Sequence, residues 1–156
     1  MKRPANDASA ELTDSLDFLI RDTRVRLTAN IESRIARLGI PLRIWFPLRI
    51  LYANEGITQR ELGRMLSYGD ANAGVIVAFM QRMKLVDRRP SPTDKRRIDL
   101  YLTPAGKKMA RQTLPHMRAI NTRMTTGFTA DEALALHALL LRAHDNLRPS
   151  PLTDDK

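Results

Sequence analysis

Over residues 12–38 the apolar side chains fall at Leu12, Leu16, Leu19, Ile20, Leu27, Ile31, Ile35 and Leu38, spacings that place one stripe along a long amphipathic helix. Gly39 and Pro41 end it, a flexible residue just past the last turn and a proline soon after. Residues 42–53 carry Trp45 and Phe46 and predict a second helix. Its start is open, because Pro47 is tolerated only near a first turn or at a kink. Past the turn residues Asn54-Glu55-Gly56, Thr58 and Glu61 have capping-box spacing, so a short helix should run to about Leu66. Ser67-Tyr68-Gly69-Asp70 breaks the pattern, and residues 71–84 resume helical spacing at Ile76, Phe79, Met80 and Met83. Two helices joined by a Gly-containing turn predict a helix-turn-helix.

The period then changes from helical to two. In residues 87–103 Ile98, Leu100 and Leu102 alternate with Asp99, Tyr101 and Thr103, which predicts a strand with the first three residues facing the core. Arg88, Arg89, Lys95, Arg96 and Arg97 gather at or near the turn, so the segment reads as a basic β-hairpin. Thr103-Pro104 has the form of an N-cap followed by proline at the first helical position, opening a helix towards Thr126 with a kink at Pro115. Thr129 to Glu132 is a second capping box, and the Leu-rich helix it opens should end by Pro149. Residues 1–11 and 149–156 read as loose tails. The fold class is mainly α with one small β-hairpin, in a single domain over residues 1–156.

Charge narrows the partner. Lys and Arg number 26 against 17 Asp and Glu, a formal net charge of +9 with a pI near 10.6, which favours nucleic acid or an anionic membrane surface. The N-terminus lacks the apolar core of a secretory signal, and no run approaches the ~18 apolar residues of a membrane span, so no membrane partner is expected. Only 5% of residues are aromatic, too few for the stacking platforms of single-strand binders. Duplex is the expected polyanion. The absence of cysteine removes disulfides, thiolate metal sites and cysteine nucleophiles, and it fits a cytoplasmic location. No nucleophile is paired with a base and no Gly-rich loop suits a phosphate. His137 and His144 stand seven apart, too far for a compact metal pair. No enzyme, metal or cofactor is expected.

The order of elements, together with Arg89, Pro90, Asp94-Lys95-Arg96 and Leu102-Thr103-Pro104-Ala105-Gly106, resembles the MarR family of winged helix-turn-helix transcriptional regulators. Trp45, Thr58-Gln59 and Glu61-Leu62 also match family positions, and the resemblance covers about residues 12–147. It implies a homodimer built by helices of about residues 12–38 and 104–147, with a winged lobe over about 42–103. The apolar stripes of the first and last helices exceed what a small lobe needs and are expected to meet a second subunit; the alternative is that they pack on each other. Recognition helices would enter successive major grooves of a pseudo-palindromic operator, with half-sites about one helical turn apart. The resemblance further implies a repressor released by a small aromatic or anionic ligand bound between the dimer and DNA lobes.

On that reading Arg96 enters a narrow minor groove from the wing tip, with Asp94 orienting it, while Arg88, Arg89, Lys95 and Arg97 contact phosphate. Base reading falls to residues 69–75, where relatives carry Ser, Thr and Arg but this chain has Ala71-Asn72-Ala73-Gly74-Val75. Asn72 suits adenine, or else caps the helix or faces solvent; Ala71, Ala73 or Val75 suits a thymine methyl. An A·T-rich operator, read partly by methyl contacts and shape, is expected; the alternative is weaker sequence discrimination than the family norm. Thr58, Gln59, Arg60 and Arg64 at the first helix of the motif, with Arg82, are candidate phosphate contacts. Arg21, Arg24, Arg43, Trp45 and His116 are candidates for an aromatic acid or thioester, although a Trp on a short helix usually packs in the core. A second functional reading is a dimerisation or protein-interaction module that binds DNA only non-specifically.

Overall fold

A computed structural model describes residues 14–147. Leu12 and both expected tails lie outside the described residues. Helix α1 (Leu16–Ile35) passes into a 3-10 turn (Ala36–Leu38) that Gly39 closes at φ 64. The single helix expected over 12–38 therefore tightens in its last turn. Helix α2 (Leu42–Ala53) starts behind Pro41 as N-cap and keeps Pro47 within it. Strand β1 (Ile57–Thr58) leads into α3 (Gln59–Met65), then α4 (Asp70–Arg82), β2 (Val86–Pro90), β3 (Ile98–Leu102), α5 (Pro104–Met124) and α6 (Ala130–Asn146). None of the helices is long and apolar enough to cross a membrane, among the described residues.

Local chemistry explains the boundaries. Thr58 Oγ1 accepts the Glu61 N–H at 3.2 Å while the Glu61 carboxylate accepts the Thr58 N–H at 2.7 Å, and Thr129 and Glu132 repeat the reciprocal pair at α6. Thr103 Oγ1 accepts the Gly106 N–H at 3.0 Å and donates to the Lys84 carbonyl at 2.7 Å, so one hydroxyl caps α5 and ties it to the end of the helix-turn-helix. Gly106 is required by space. A Cβ there would lie 2.2 Å from the Leu85 carbonyl oxygen.

The strands form one antiparallel sheet in the order β1-β3-β2, with Val86 opposite Leu102, Arg88 opposite Leu100 and Pro90 opposite Ile98. Ile98 is 46% exposed and Asp99 only 3%, the reverse of the alternation expected at that end of β3. Ile98 belongs to the last pair before the turn, beyond the reach of the core, whereas Asp99 lies between Arg89 on β2 and Thr58 on β1.

Backbone contacts divide the chain into two compact units, one through Ile120 and one from Asn121 onward. The first has a continuous core. Ile44, Trp45, Leu48 and Leu51 of α2 meet Leu62, Val77, Met80, Leu100, Leu102 and Ala110. Most of α1 stays outside that core, with Leu16, Leu19, Ile20 and Val25 exposed. In the second unit α6 buries no residue, and Leu134, Leu139, Leu140 and Leu141 are exposed.

Candidate nucleic-acid interface

The five cations of the hairpin do not share one role. Arg88 stands opposite Leu100 in the β2–β3 pair and donates through Nη2 to Gln59 Oε1 at 2.6 Å. Arg97 donates to Asp99 Oδ1 at 2.6 Å, to the Gly56 carbonyl at 3.1 Å and to Glu61 Oε2 at 3.2 Å. Arg89 pairs with Asp87 at 2.9 Å and lies 5.1 Å from the Tyr101 ring. Lys95 and Arg96 are left exposed at the turn, with no side-chain partner among the described residues. Asp94 shapes the turn: its Oδ1 accepts the Arg96 N–H and its carbonyl accepts the Arg97 N–H, each at 2.9 Å.

Of the residues expected to touch phosphate, Arg97 directs its Nε and Nη2 donors to acceptors of its own chain. Thr58 is committed too, since its hydroxyl serves the capping box. Arg60, Arg64 and Arg82 are exposed on the helix-turn-helix. Two carboxyls register the network: a hydrogen bond from Arg97 holds Asp99 below its ordinary range, and the Thr58 amide and hydroxyl, then Arg97, do the same for Glu61.

Helix α4 presents Ala71, Asn72 and Val75 to solvent, while Ala73 is buried and faces Gly63 in the helix pair. Gly69 is the N-cap and Asn72 lies inside the first turn, so the capping alternative for Asn72 does not hold. Gly74 is covered by the amide of Gln59, 3.2 Å from where a Cβ would be. Tyr68 and Met65 are also exposed, at 40% and 53%. Neither stood out in the sequence; Tyr68 was legible only as a turn residue.

The residues expected to hold a ligand scatter. Trp45 is 1% exposed and belongs to the core, which corrects its reading as a ligand wall: it projects from the middle of α2, the most buried helix. Arg43 stacks on Phe79 at 3.5 Å, Arg21 lies 6.0 Å from Phe18, Arg24 is exposed and His116 is half-buried. A cavity of about 380 Å³ opens instead between α2 and α5, with Phe46, Arg49, Ile50, Tyr52, Leu114 and Met117 in its wall. The missed residue is Arg49. Its Nη2 lies 2.7 Å from Met117 Sδ and its guanidinium 5.6 Å from the Trp45 ring, and burial pushes its pKa down. No carboxylate pairs with it among the described residues. A thioether is a weak acceptor, so this cation is desolvated with little return.

A helix-turn-helix, a basic hairpin and a capped helix following it can now be set beside known proteins. A family model described as "MarR family" matches residues 38–97, the span of α2 through the wing turn. The crystal structure of a MarR-family transcriptional regulator from Silicibacter pomeroyi superposes with a TM-score of 0.77 at 28% identity, covering 93% of this chain and 98% of that one. Over the matched residues the chain is MarR-like. The HTH-type transcriptional repressor NicR of Pseudomonas putida is 23% identical over 143 residues, 92% of this chain and 90% of NicR. The structure of Bordetella bronchiseptica BpsR, whose DNA binding is regulated by 6-hydroxynicotinic acid, matches the fold with a TM-score of 0.74 at 18% identity, over 85% of this chain and 95% of that one. The two solved structures share the fold built here around α3, α4, β2 and β3.

Proposed function

We propose that this MarR-like chain is a homodimeric repressor that binds a pseudo-palindromic duplex through α4 and the wing tip, and that a small aromatic anion releases it. The observation that carries the DNA reading is the division of the wing cations. Arg88, Arg89 and Arg97 are partnered within the fold, which leaves Lys95 and Arg96 as the free cations of a turn braced by Asp94. A braced tip with one exposed arginine is suited to a narrow minor groove, where the negative potential is greatest. Beside it, Asn72 and Val75 offer an adenine-pairing amide and a methyl-contacting surface to the major groove.

The dimer reading rests on apolar surface. Leu16, Leu19 and Ile20 on α1, and Leu134, Leu139, Leu140 and Leu141 on α6, are each more than 40% exposed, more than a soluble chain leaves on two helices without a partner surface. The effector reading rests on Arg49. A guanidinium at an apolar wall, whose one hydrogen-bond partner among the described residues is a sulfur, can donate charge-assisted hydrogen bonds to a carboxylate, while Phe46 and Ile50 cover an aromatic ring. In support, NicR is a repressor, and the DNA binding of BpsR is regulated by 6-hydroxynicotinic acid, an aromatic acid.

The test is selection of binding fragments from random duplex DNA, followed by competition with aromatic carboxylates. Enrichment of an inverted repeat whose complex is dissolved by one of the acids is the expected result. Retention of all fragments alike would leave only a non-specific interaction module.

A further inference from the structure

Arg97 reaches three acceptors on three elements: Asp99 on β3, the Gly56 carbonyl before β1, and Glu61 in the first turn of α3. Its backbone closes the wing turn as well, since its N–H donates to the Asp94 carbonyl and its carbonyl accepts the Ser91 N–H at 2.8 Å. One residue therefore joins the base of the turn to the body of the helix-turn-helix, and Arg96 is its immediate neighbour. On the opposite strand Arg88 grips Gln59, two residues before Glu61.

Charge and geometry both argue against a phosphate role. Two carboxylates, Asp99 and Glu61, meet one guanidinium, so the cluster itself carries no net positive charge to draw a phosphate. Asp99 has only 4% of its side chain exposed, and moving Arg97 onto DNA would leave that carboxylate buried with less compensation. A planar guanidinium donates from separate nitrogens in a fixed fork, whereas an ammonium must offer all its donors from one atom at the end of a flexible stem.

We propose that Arg97 is a positioning residue: it fixes the wing at a set angle to α3 and so places Arg96, without touching the DNA. The consequence for affinity rests on the DNA-binding reading above, but the bracing of the wing does not.

The experiment compares Arg97→Lys, Arg97→Met and Glu61→Gln in the full chain by amide hydrogen exchange without DNA and by salt-titrated DNA binding. Glu61→Gln keeps the capping box, because Gln also serves at that position, and guards against a fold lost with Arg97. Bracing predicts at least tenfold faster exchange at Ser91 and Arg97 in Arg97→Lys and Arg97→Met, and a smaller increase in Glu61→Gln. It predicts that Lys fails almost as badly as Met, each losing about tenfold in affinity, an effect of roughly 1.4 kcal/mol. It also predicts that adding Arg96→Ala to Arg97→Met costs little more than Arg96→Ala alone. Unchanged wing exchange in all three variants overturns the proposal. So does wild-type affinity in Arg97→Lys with additive losses in the double variant, the mark of an independent phosphate contact. If the wild-type chain has no affinity for DNA, the regulator reading fails while the exchange result still decides the brace.

Discussion

Gln59 bridges the wing and α4: its Oε1 accepts from Arg88 at 2.6 Å, and its Nε2 lies 3.2 Å from the Cβ position of Gly74. Glycine in the middle of α4 thus makes room for a polar side chain that ties β2 to the start of α3. The absence of a side chain at this position of α4 therefore has a packing cause.

Gly74→Ala should raise stability by about 0.5 kcal/mol, since alanine is favoured in a helix interior and the obstructing atom ends a flexible side chain. The same change should displace Gln59 and free Arg88. Urea unfolding checks the first effect. A steeper salt dependence of DNA binding, from a newly free cation, checks the second.

Gly106→Ala should do the opposite. Its Cβ would fall 2.2 Å from the Leu85 carbonyl, and backbone cannot yield as a side chain does, so α5 must shift. Denaturant unfolding should show a loss of about 2 kcal/mol or more.

Arg49→Met should leave the fold at least as stable as the original, because a partly desolvated charge gives way to packing of similar volume. It should abolish the thermal stabilisation that aromatic carboxylates confer, which by linkage requires binding to the native state. Scanning calorimetry with and without the acids measures both. A variant that still responds to them would move the effector elsewhere.

Acid should weaken the wing base. Asp99, through its bond from Arg97, and Glu61, through Thr58 and then Arg97, both titrate below their ordinary range in the fold. The stability they contribute is therefore full above the ordinary carboxylate pKa near ~4 and is lost as pH falls through the lowered folded values. Urea midpoints followed from pH 6 down to 3 should drop in the wild type and drop less in Arg97→Met.

Much of this was legible in the chain. Thr58 with Glu61 and Thr129 with Glu132 are reciprocal pairs three apart, a purely local signal, and both caps form as expected. The strand period also placed β3, and the wing motif marked the family. What failed were long-range facts. Arg97 looks like one more tip cation until Glu61, 36 residues away, is seen beside it. Asp99 reads as a solvent-facing residue by alternation, because nothing local says that β1 will flank it. Arg43 and Arg49 both stand on α2, and only packing against Met117, 68 residues on, separates the one beside the cavity from the one stacked on Phe79.

The central claim is that a sequence-specific contact is made by α4 together with Arg96 at the wing tip. Salt-titrated binding of wild type, Arg96→Ala and Asn72→Ala to a selected operator and to a scrambled duplex tests it most directly. Arg96→Ala should weaken operator binding at least tenfold and lower the salt slope by about one, while Asn72→Ala should weaken operator binding by a similar factor and leave the scrambled duplex almost unchanged. Equal losses on both duplexes for Asn72→Ala, with no loss for Arg96→Ala, would contradict the account.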